Sequence, residues 1–349
     1  MRVAVTGATG NVGTALLRAL ATEDAVQEIV GIARRVPTTE APKVSWRRAD
    51  VAYDDLVPLL HGCDAVVHLA WLIQPSRDEA ITYAANVTGS ERLLRAAAEA
   101  RVGAVVCASS VGAYAPGPKD RAVDESWPAT GVRSSFYSRH KAEVERLLDV
   151  FEAEHPAVRT ARMRPALIFQ RAAASEIRRL FAGPLLPRAL LRPGLVPIVP
   201  SNPRLRFQAV HADDAADAYR RAILSPDARG AFNVAAEPVL DGEVLGELLG
   251  ARPVRVPMGA LRAAAALTWR LRLQPTPPGW VDMARAIPIM DCTRARRELG
   301  WAPCRGAGET LLELLDGMRE GAGAATPPLS PRTSGPASAD ELATGVGGR

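Results

Sequence analysis

Along the first half of the chain, short apolar runs rich in Val, Ile and Ala alternate with longer stretches whose apolar residues recur every three to four positions. Strands buried on both faces read as continuous apolar runs, and amphipathic helices carry the 3.6-residue period. The alternation therefore predicts βαβ units around a parallel sheet. Strands are expected at Arg2–Thr6, Glu28–Ala33, Val44–Arg48, Ala65–Leu69, Ala104–Ala108 and Thr160–Met163. Helices are expected at Val12–Ala21, Asp54–Leu60 and Ser138–Glu154, with a long helical period over Arg77–Ala100 broken near Gly89.

After Pro165 the texture changes. Residues 170–206 mix Pro, Arg and Leu with no clean period, which suits loops and short helices over a pocket. Order returns with a strand end at Val210, a helix over Asp213–Leu224 and a strand over Ala231–Ala235. Two further helices are expected at Arg294–Leu299 and Glu309–Met318. Ala260–Leu273 reads as a helix packed on the body, its apolar run interrupted by Arg262, Arg270 and Arg272. From Gly321 onward Gly, Ala, Pro, Ser and Thr follow without period, and a disordered tail is expected over 321–349. The expected organisation is a core over 1–165, to which 207–235 returns, and a substrate-binding lobe from 166–206 and 236–320.

Composition narrows the picture. The chain is 48% apolar and 23% charged, ordinary for a globular protein. The net charge of +5 comes from scattered Arg rather than a basic stripe, which argues against a nucleic-acid partner. Lys43, Lys119 and Lys141 are the only lysines, so each draws attention that no single Arg does. Cys63, Cys107, Cys292 and Cys304 have no paired spacing; a reducing cytoplasm fits, and a zinc site has nothing to build on. No apolar window of about 18 residues escapes a charge, so no membrane span is expected. Met1-Arg2 leads at once into a strand rather than a signal segment, and the expected location is cytoplasmic.

The first candidate chemistry lies at Thr6-Gly7-Ala8-Thr9-Gly10-Asn11-Val12-Gly13, between a strand and a helix. A pyrophosphate can take the free N–H groups of a helix N-terminus only where side chains are absent from the turn. Gly7 makes the turn, Gly10 lets backbone meet phosphate, and Gly13 lets the helix lie on the sheet. With Thr9, Asn11 and Val12 they form a candidate dinucleotide cradle. The fold class expected is thus α/β, a Rossmann doubly wound parallel sheet with a smaller C-terminal α/β lobe. At the end of the second strand the chain reads Ala33-Arg34-Arg35, with no acid until Glu40. Two guanidiniums suit a 2′-phosphate where a carboxylate would grip ribose hydroxyls, so NADP(H) is favoured over NAD(H). Asp50 and Val51 are expected at the adenine rim.

Tyr137-Ser138-Arg139-His140-Lys141 has the spacing Tyr-x-x-x-Lys at a helix start, which puts both side chains on one face. Hydride transfer to a carbonyl needs a proton delivered to its oxygen. A tyrosine can supply it, and a neighbouring ammonium would favour the phenolate, moving the phenol down from its usual value of about 10.

In these residues the chain resembles the extended short-chain dehydrogenases/reductases, the NAD-dependent epimerase/dehydratase family, over roughly residues 1–320. The ordered set that carries the resemblance begins with Thr6–Gly13, His68-Leu69-Ala70, Asn86-Val87-Thr88-Gly89, Ser109-Ser110 before Tyr114, and Tyr137/Lys141. It continues with Arg164-Pro165, Val210-His211-Ala212-Asp213-Asp214, Phe232-Asn233-Val234 and Ala295–Pro303.

The resemblance implies that Ser110 hydrogen-bonds the substrate oxygen, with Ser109 its competitor, and that Tyr137 shuttles the proton. It implies that Lys141 holds the nicotinamide ribose, that Asn86 completes the site or braces its helix, and that Leu69, Ala70 and Pro165 edge the cofactor. His140 falls in variable space and is expected to face solvent. His211, Asp213 and Asp214 are expected to cap a structural helix rather than to react.

Two departures stand out: Ala166-Leu167-Ile168-Phe169-Gln170 where the family often continues to Tyr-Gly-Pro, and Val111-Gly112 where sugar dehydratases carry an Asp-Glu pair. The leading expectation is an NADP(H)-dependent ketone reductase or secondary alcohol dehydrogenase. The alternatives are a nucleotide-sugar epimerase with retained NAD and a catalytically silent NADP sensor. For an epimerase, Arg178, Arg179, Arg188, Arg192, Arg204 and Arg206 could supply charge for a diphosphate, while the interleaved Leu and Pro suit an apolar small-molecule substrate. A homodimer through Arg77–Ala100 and Ser138–Glu154 follows from the resemblance.

Overall fold

The computed structural model describes residues 1–38, 40–74, 76–182 and 196–331. The first half comprises β1 (Arg2–Thr6), α1 (Asn11–Ala21), β2 (Glu28–Ala33), β3 (Val44–Arg48), α2 (Val57–Leu60) and β4 (Ala65–His68). There follow α3 (Glu79–Tyr83), α4 (Gly89–Glu99), β5 (Ala104–Ala108), β6 (Ala122–Val123), α5 (Phe136–Glu154), β7 (Arg159–Pro165), β8 (Leu167–Phe169) and α6 (Ala174–Ile177). Beyond these come β9 (Ile198–Ser201), β10 (Phe207–His211), α7 (Ala212–Leu224), β11 (Gly230–Val234), β12 (Ala236–Leu240) and α8 (Gly242–Leu249). The described chain closes with β13 (Arg252–Arg255), α9 (Met258–Arg270), α10 (Gly279–Ala286), β14 (Ile289–Met290), α11 (Thr293–Leu299) and α12 (Ala307–Glu320).

Seven strands form one parallel sheet in the order β11-β7-β5-β4-β1-β2-β3. Val3, Ala4, Val5, Val66 and Val67 are fully buried, as strands covered on both faces must be. Two hydrophobic clusters flank the sheet: α1 and α7 contribute to one, α4 and α5 to the other. The strand order reverses between β1 and β4, and a crevice opens there at the carboxyl ends of the strands. Strand β11 returns to this sheet, whereas β10 pairs with β8 and β12 in a separate three-stranded sheet.

The expected elements are present with shifted ends. Helix α2 begins at Val57 because Asp54 accepts from the Asp50 N–H and Asp55 caps Val57, holding 50–56 in turns. The break in Arg77–Ala100 is a widened π-turn at Ala84–Thr88, just before Gly89. The onset of the expected disordered tail is corrected. Residues 321–331 fold back on the body, with the Ser175 N–H donating to the Ala322 carbonyl at 3.2 Å and Leu329 fully buried. Residues 332–349 of that expected tail lie outside the described residues.

Candidate active site

The loop after β1 is built so that a side chain at either flanking glycine would collide with backbone. Gly7 has φ +68°, and a Cβ there would lie 2.7 Å from Ala70 N; one at Gly13 would lie 2.3 Å from Gly7 O. At Gly10 the nearest atom would be 3.4 Å away, so the approach to the helix N-terminus stays open. A cavity of about 920 Å³ begins at this loop, near the upper end of the range for ligand sites. Every residue expected to touch the cofactor lines it: Gly7, Thr9, Gly10, Asn11, Val12, Gly13, Arg34, Arg35, Asp50, Val51, Leu69, Ala70, Tyr137, Lys141 and Pro165. The departing segment after Pro165 clasps the loop: Asn11 Nδ2 donates to the Ile168 carbonyl at 3.0 Å, and Gln170 Nε2 to Asn11 Oδ1 at 2.8 Å. A glycine cradle, an open helix N-terminus and two guanidiniums suit a dinucleotide, which when bound would supply or accept the hydride.

Ser110, Tyr137 and Lys141 line the same cavity, brought together by β5 and α5. The two adjacent serines are told apart by their partners. Ser109 Oγ donates to the buried carboxylate of Glu145, whereas Ser110 Oγ accepts from the Gly112 N–H at 3.0 Å and also hydrogen-bonds Tyr137. Tyr137 is sandwiched between Trp71 and Trp280, at ring-centroid distances of 5.8 and 4.9 Å. Gly112 makes room for it: a Cβ there would lie 2.8 Å from the tyrosine ring.

In this geometry the Lys141 ammonium is not the group that sets the tyrosine pKa. The Lys141 ammonium lies 3.4 Å over the Trp71 ring and donates to the Ala108 carbonyl at 2.7 Å, but is 5.9 Å from the Tyr137 ring. Burial pushes the phenol up to about 12, with only the Ser110 hydrogen bond opposing. Burial also pulls Lys141 down to about 7 against the pull of Cys107 and Glu145. The phenol is therefore held protonated at neutral pH.

Asn86 is fully buried inside the π-turn and lies behind the cavity. Its amide accepts from the Leu72 N–H at 2.7 Å and donates to the Leu72 carbonyl at 2.8 Å, pinning the backbone beside Trp71. His68, neutral because burial drops it to about 3, links Thr6 at 2.7 Å to Ser90 at 3.0 Å.

His140 is buried rather than facing solvent. It stacks edge-on against Tyr83 and Phe136 at 5.3 and 5.6 Å, with Nε2 3.3 Å from Glu79 Oε1. It belongs to the stripe Phe136, His140, Val144 and Leu148, every member of which is buried. That four-residue spacing was present in the sequence.

His211 caps α7, its Nδ1 accepting from the Asp213 N–H at 3.1 Å, whereas Asp213 accepts from Arg18 and Asp214 from the N–H groups of Cys304 and Arg305 in the turn before α12. Among the described residues no group of three His, Cys, Asp or Glu is placed to hold a metal ion.

Several lining residues carried no sequence signal. Trp71, Phe181 and Trp280 wall the space in front of Tyr137, with Phe181 edge-on to Trp280 at 4.9 Å. Tyr219, from α7, lines the cavity with a buried hydroxyl that has no partner. Glu176 and Arg179 line it from α6 and the turn that follows. Of the arginines considered for a diphosphate, Arg179 and Arg206 line the cavity, Arg178 and Arg204 do not, and Arg188 and Arg192 lie outside the described residues.

The model of the NAD dependent epimerase/dehydratase family matches residues 3–235. The chain belongs to this family. Its fold is that of the extended short-chain dehydrogenases/reductases: it superposes on the UDP-glucose 4-epimerase of Thermus thermophilus with a TM-score of 0.65 at 21% identity, covering 91% of this chain and 99% of that one.

Among curated proteins, it is 29% identical over 323 residues to the uncharacterized protein Rv2047c of Mycobacterium tuberculosis, a match covering 91% of this chain and 30% of that protein. The chain thus spans about a third of that relative's length. It is 28% identical to a 2-alkyl-3-oxoalkanoate reductase of Shewanella oneidensis, covering 90% of this chain and 84% of the relative. It is 32% identical over 178 residues to a 4-hydroxy-2-methyl-3-oxo-4-farnesyl-3,4-dihydroquinoline-1-oxide ketoreductase of Stigmatella aurantiaca, covering 48% of this chain and 51% of the relative.

Proposed function

We propose that the protein is an NADP(H)-dependent reductase of an apolar ketone, with Ser110, Tyr137 and Lys141 as its reacting site. The observation that carries this reading is the wall of the cavity around Tyr137. Trp71 and Trp280 flank the phenol, Phe181 packs on Trp280, and Leu72, Val281 and Met283 line the same cavity, and such a surface favours a hydrocarbon-bearing substrate. A nucleotide diphosphate would need cations there. Arg206, which lines that half, already donates to the Lys119 carbonyl at 2.6 Å.

The chemistry follows from the positions. A carbonyl oxygen placed beside Ser110 Oγ and the Tyr137 hydroxyl receives a hydrogen bond from the serine and the proton from the phenol. Lys141, buried beside Ala108, orients whatever hydroxyls enter from the cofactor side. Trp71 and Trp280 exclude water from the reacting face. The names of the Shewanella and Stigmatella relatives, a reductase of alkyl-bearing oxoalkanoates and a ketoreductase of a farnesyl-bearing ring, support a carbonyl substrate with an apolar arm.

The second reading, a nucleotide-sugar epimerase, is favoured by the solved structures of this fold, several of which hold UDP-sugars and NAD. Purification followed by cofactor analysis separates the two. Loosely held nucleotide with NADPH-dependent reduction of apolar ketones is the expected result. NAD released only on denaturation, with no ketone reduction, would replace it with the epimerase. A homodimer through α4 and α5 is proposed on the family resemblance and would be read from sedimentation equilibrium.

A further inference from the structure

Arg34, Arg35, Glu176 and Arg179 line the cavity together and come from two separate segments of the chain. Arg34 and Arg35 follow β2; Glu176 lies in α6 and Arg179 in the turn after it. Arg35 is close enough to feel all three. Partial burial, then Arg34 and Arg179, depress its pKa, and Glu176 acts against them. Glu176, half-buried, is raised to about 7 by burial against the pull of Arg179 and Arg35. The segment carrying Glu176 and Arg179 is fixed from behind: Arg179 Nη2 donates to the Pro328 carbonyl at 3.0 Å, and Pro328 itself lines the cavity. Thr326, two residues earlier, borders a second hollow with Trp46, Pro37 and Thr14, beside α1 and β3. The residues after α12 therefore lie over the same edge of the crevice.

We propose that Arg179 is a third guanidinium of the 2′-phosphate subsite, supplied by the substrate lobe, and that Glu176 is a counter-charge that keeps NADP(H) exchangeable. This rests on the NADP(H) reading above. A phosphate dianion is best held by cations converging from more than one side, and Arg34 and Arg35 approach from β2 alone. Arg179 faces them across the crevice. Glu176 carries only part of a negative charge near neutral pH, and that charge neutralises part of this cluster when no phosphate is present and opposes the phosphate when it arrives. The two residues thus oppose each other in affinity, and both act on the one group that distinguishes NADPH from NADH.

The test is titration of the full chain with NADPH and with NADH, followed by nucleotide fluorescence, in the wild type, Arg35→Gln, Arg179→Gln and Glu176→Gln. Arg179→Gln is expected to lower the NADPH:NADH affinity ratio about tenfold, the scale of one charge-assisted hydrogen bond partly open to solvent. Glu176→Gln is expected to raise the ratio severalfold, a gain that a misfolded variant cannot mimic. If Arg35→Gln collapses the ratio while Arg179→Gln leaves it unchanged, the third guanidinium is wrong and the NADP(H) reading stands. If Glu176→Gln instead weakens NADH, the carboxylate grips ribose hydroxyls and its counter-charge role is overturned. A wild type with no preference for NADPH overturns the cofactor reading and this subsite together.

Discussion

Tyr137 is the proton donor of the proposed reaction, and its surroundings set its protonation state. Held up at about 12 by burial, it is protonated across the physiological range. Reduction, which consumes the phenolic proton, should lose no rate to Tyr137 ionisation until the pH approaches about 12. The reverse oxidation needs the phenolate and should rise about tenfold per pH unit below that value. Steady-state rates in both directions, measured from pH 6 to 10 (roughly the range most such folds tolerate), would show the asymmetry. Parallel profiles would exclude Tyr137 as the proton donor. Tyr137→Phe should cost about 10²–10⁴-fold in kcat with the fold intact by circular dichroism. Gly112→Ala tests the placement of the ring without touching the hydroxyl. Its Cβ would lie 2.8 Å from the ring, and a displaced phenol should lower kcat about 100-fold while nucleotide affinity holds.

Elements meet at one buried ionic hub. Glu145 on α5 is 2% exposed and receives Arg164 through Nε and Nη2 at 2.8 Å each, Arg162 at 3.0 Å, and Ser109. Arg164 carries the network on to Tyr114 at 3.1 Å, and Tyr114 to Asn233 of β11 at 2.6 Å. One carboxylate thus ties α5 to β7, β11 and the serine loop. Burial alone would raise its pKa, but Arg164 and Arg162 win and hold it at about 2. Its stabilising contribution is therefore complete above the ordinary glutamate value of about 4.3 and is lost as the pH falls through about 2. Glu145→Gln leaves two guanidiniums buried without their counter-charge and should cost about 3–5 kcal/mol in urea denaturation. It should also flatten the acid limb of the stability curve between pH 4 and 2 (about the span between the two values). An unchanged acid limb would show that the hub does not govern acid unfolding.

The parts of the site legible in the sequence are those whose geometry is local. The glycine loop and the Tyr137/Lys141 pair are each defined within one turn or one helix, so spacing alone places them. The βαβ order is legible for the same reason, since each strand and helix carries its own period. His140 is legible too, through the buried stripe it shares with Phe136 and Val144, although its place inside the Tyr137/Lys141 motif points to solvent. Trp280, Phe181, Glu176 and Arg179 were not legible. They come from segments of short helices and turns with no sustained period, and only the packing of the second lobe on the first brings them to the crevice.

At the scale of the whole molecule, the segments that follow the parallel sheet share one cavity with it but are not joined to it only through that cavity. Beyond α12 the chain returns across the crevice edge, with Ala322 paired to Ser175, Pro328 to Arg179, and Leu329 fully buried. Ending the chain after Gly321 removes all three attachments. The truncated protein should melt several degrees lower (about 1–3 kcal/mol for one buried leucine and its neighbours). It should also hold NADPH less tightly than the full chain does. Equal melting and equal affinity would show that this segment is a bystander.

A segment that lies along the edge of the proposed nucleotide site also makes that site legible from outside. Peptide bonds between Gly321 and Thr326 join a packed helix to a packed turn, with Ala325 exposed, and cutting there requires the segment to open locally into a protease's cleft. A dinucleotide seated beneath it would be expected to slow that cut, and the pattern of fragments would then report occupancy at the far end of the crevice without any label.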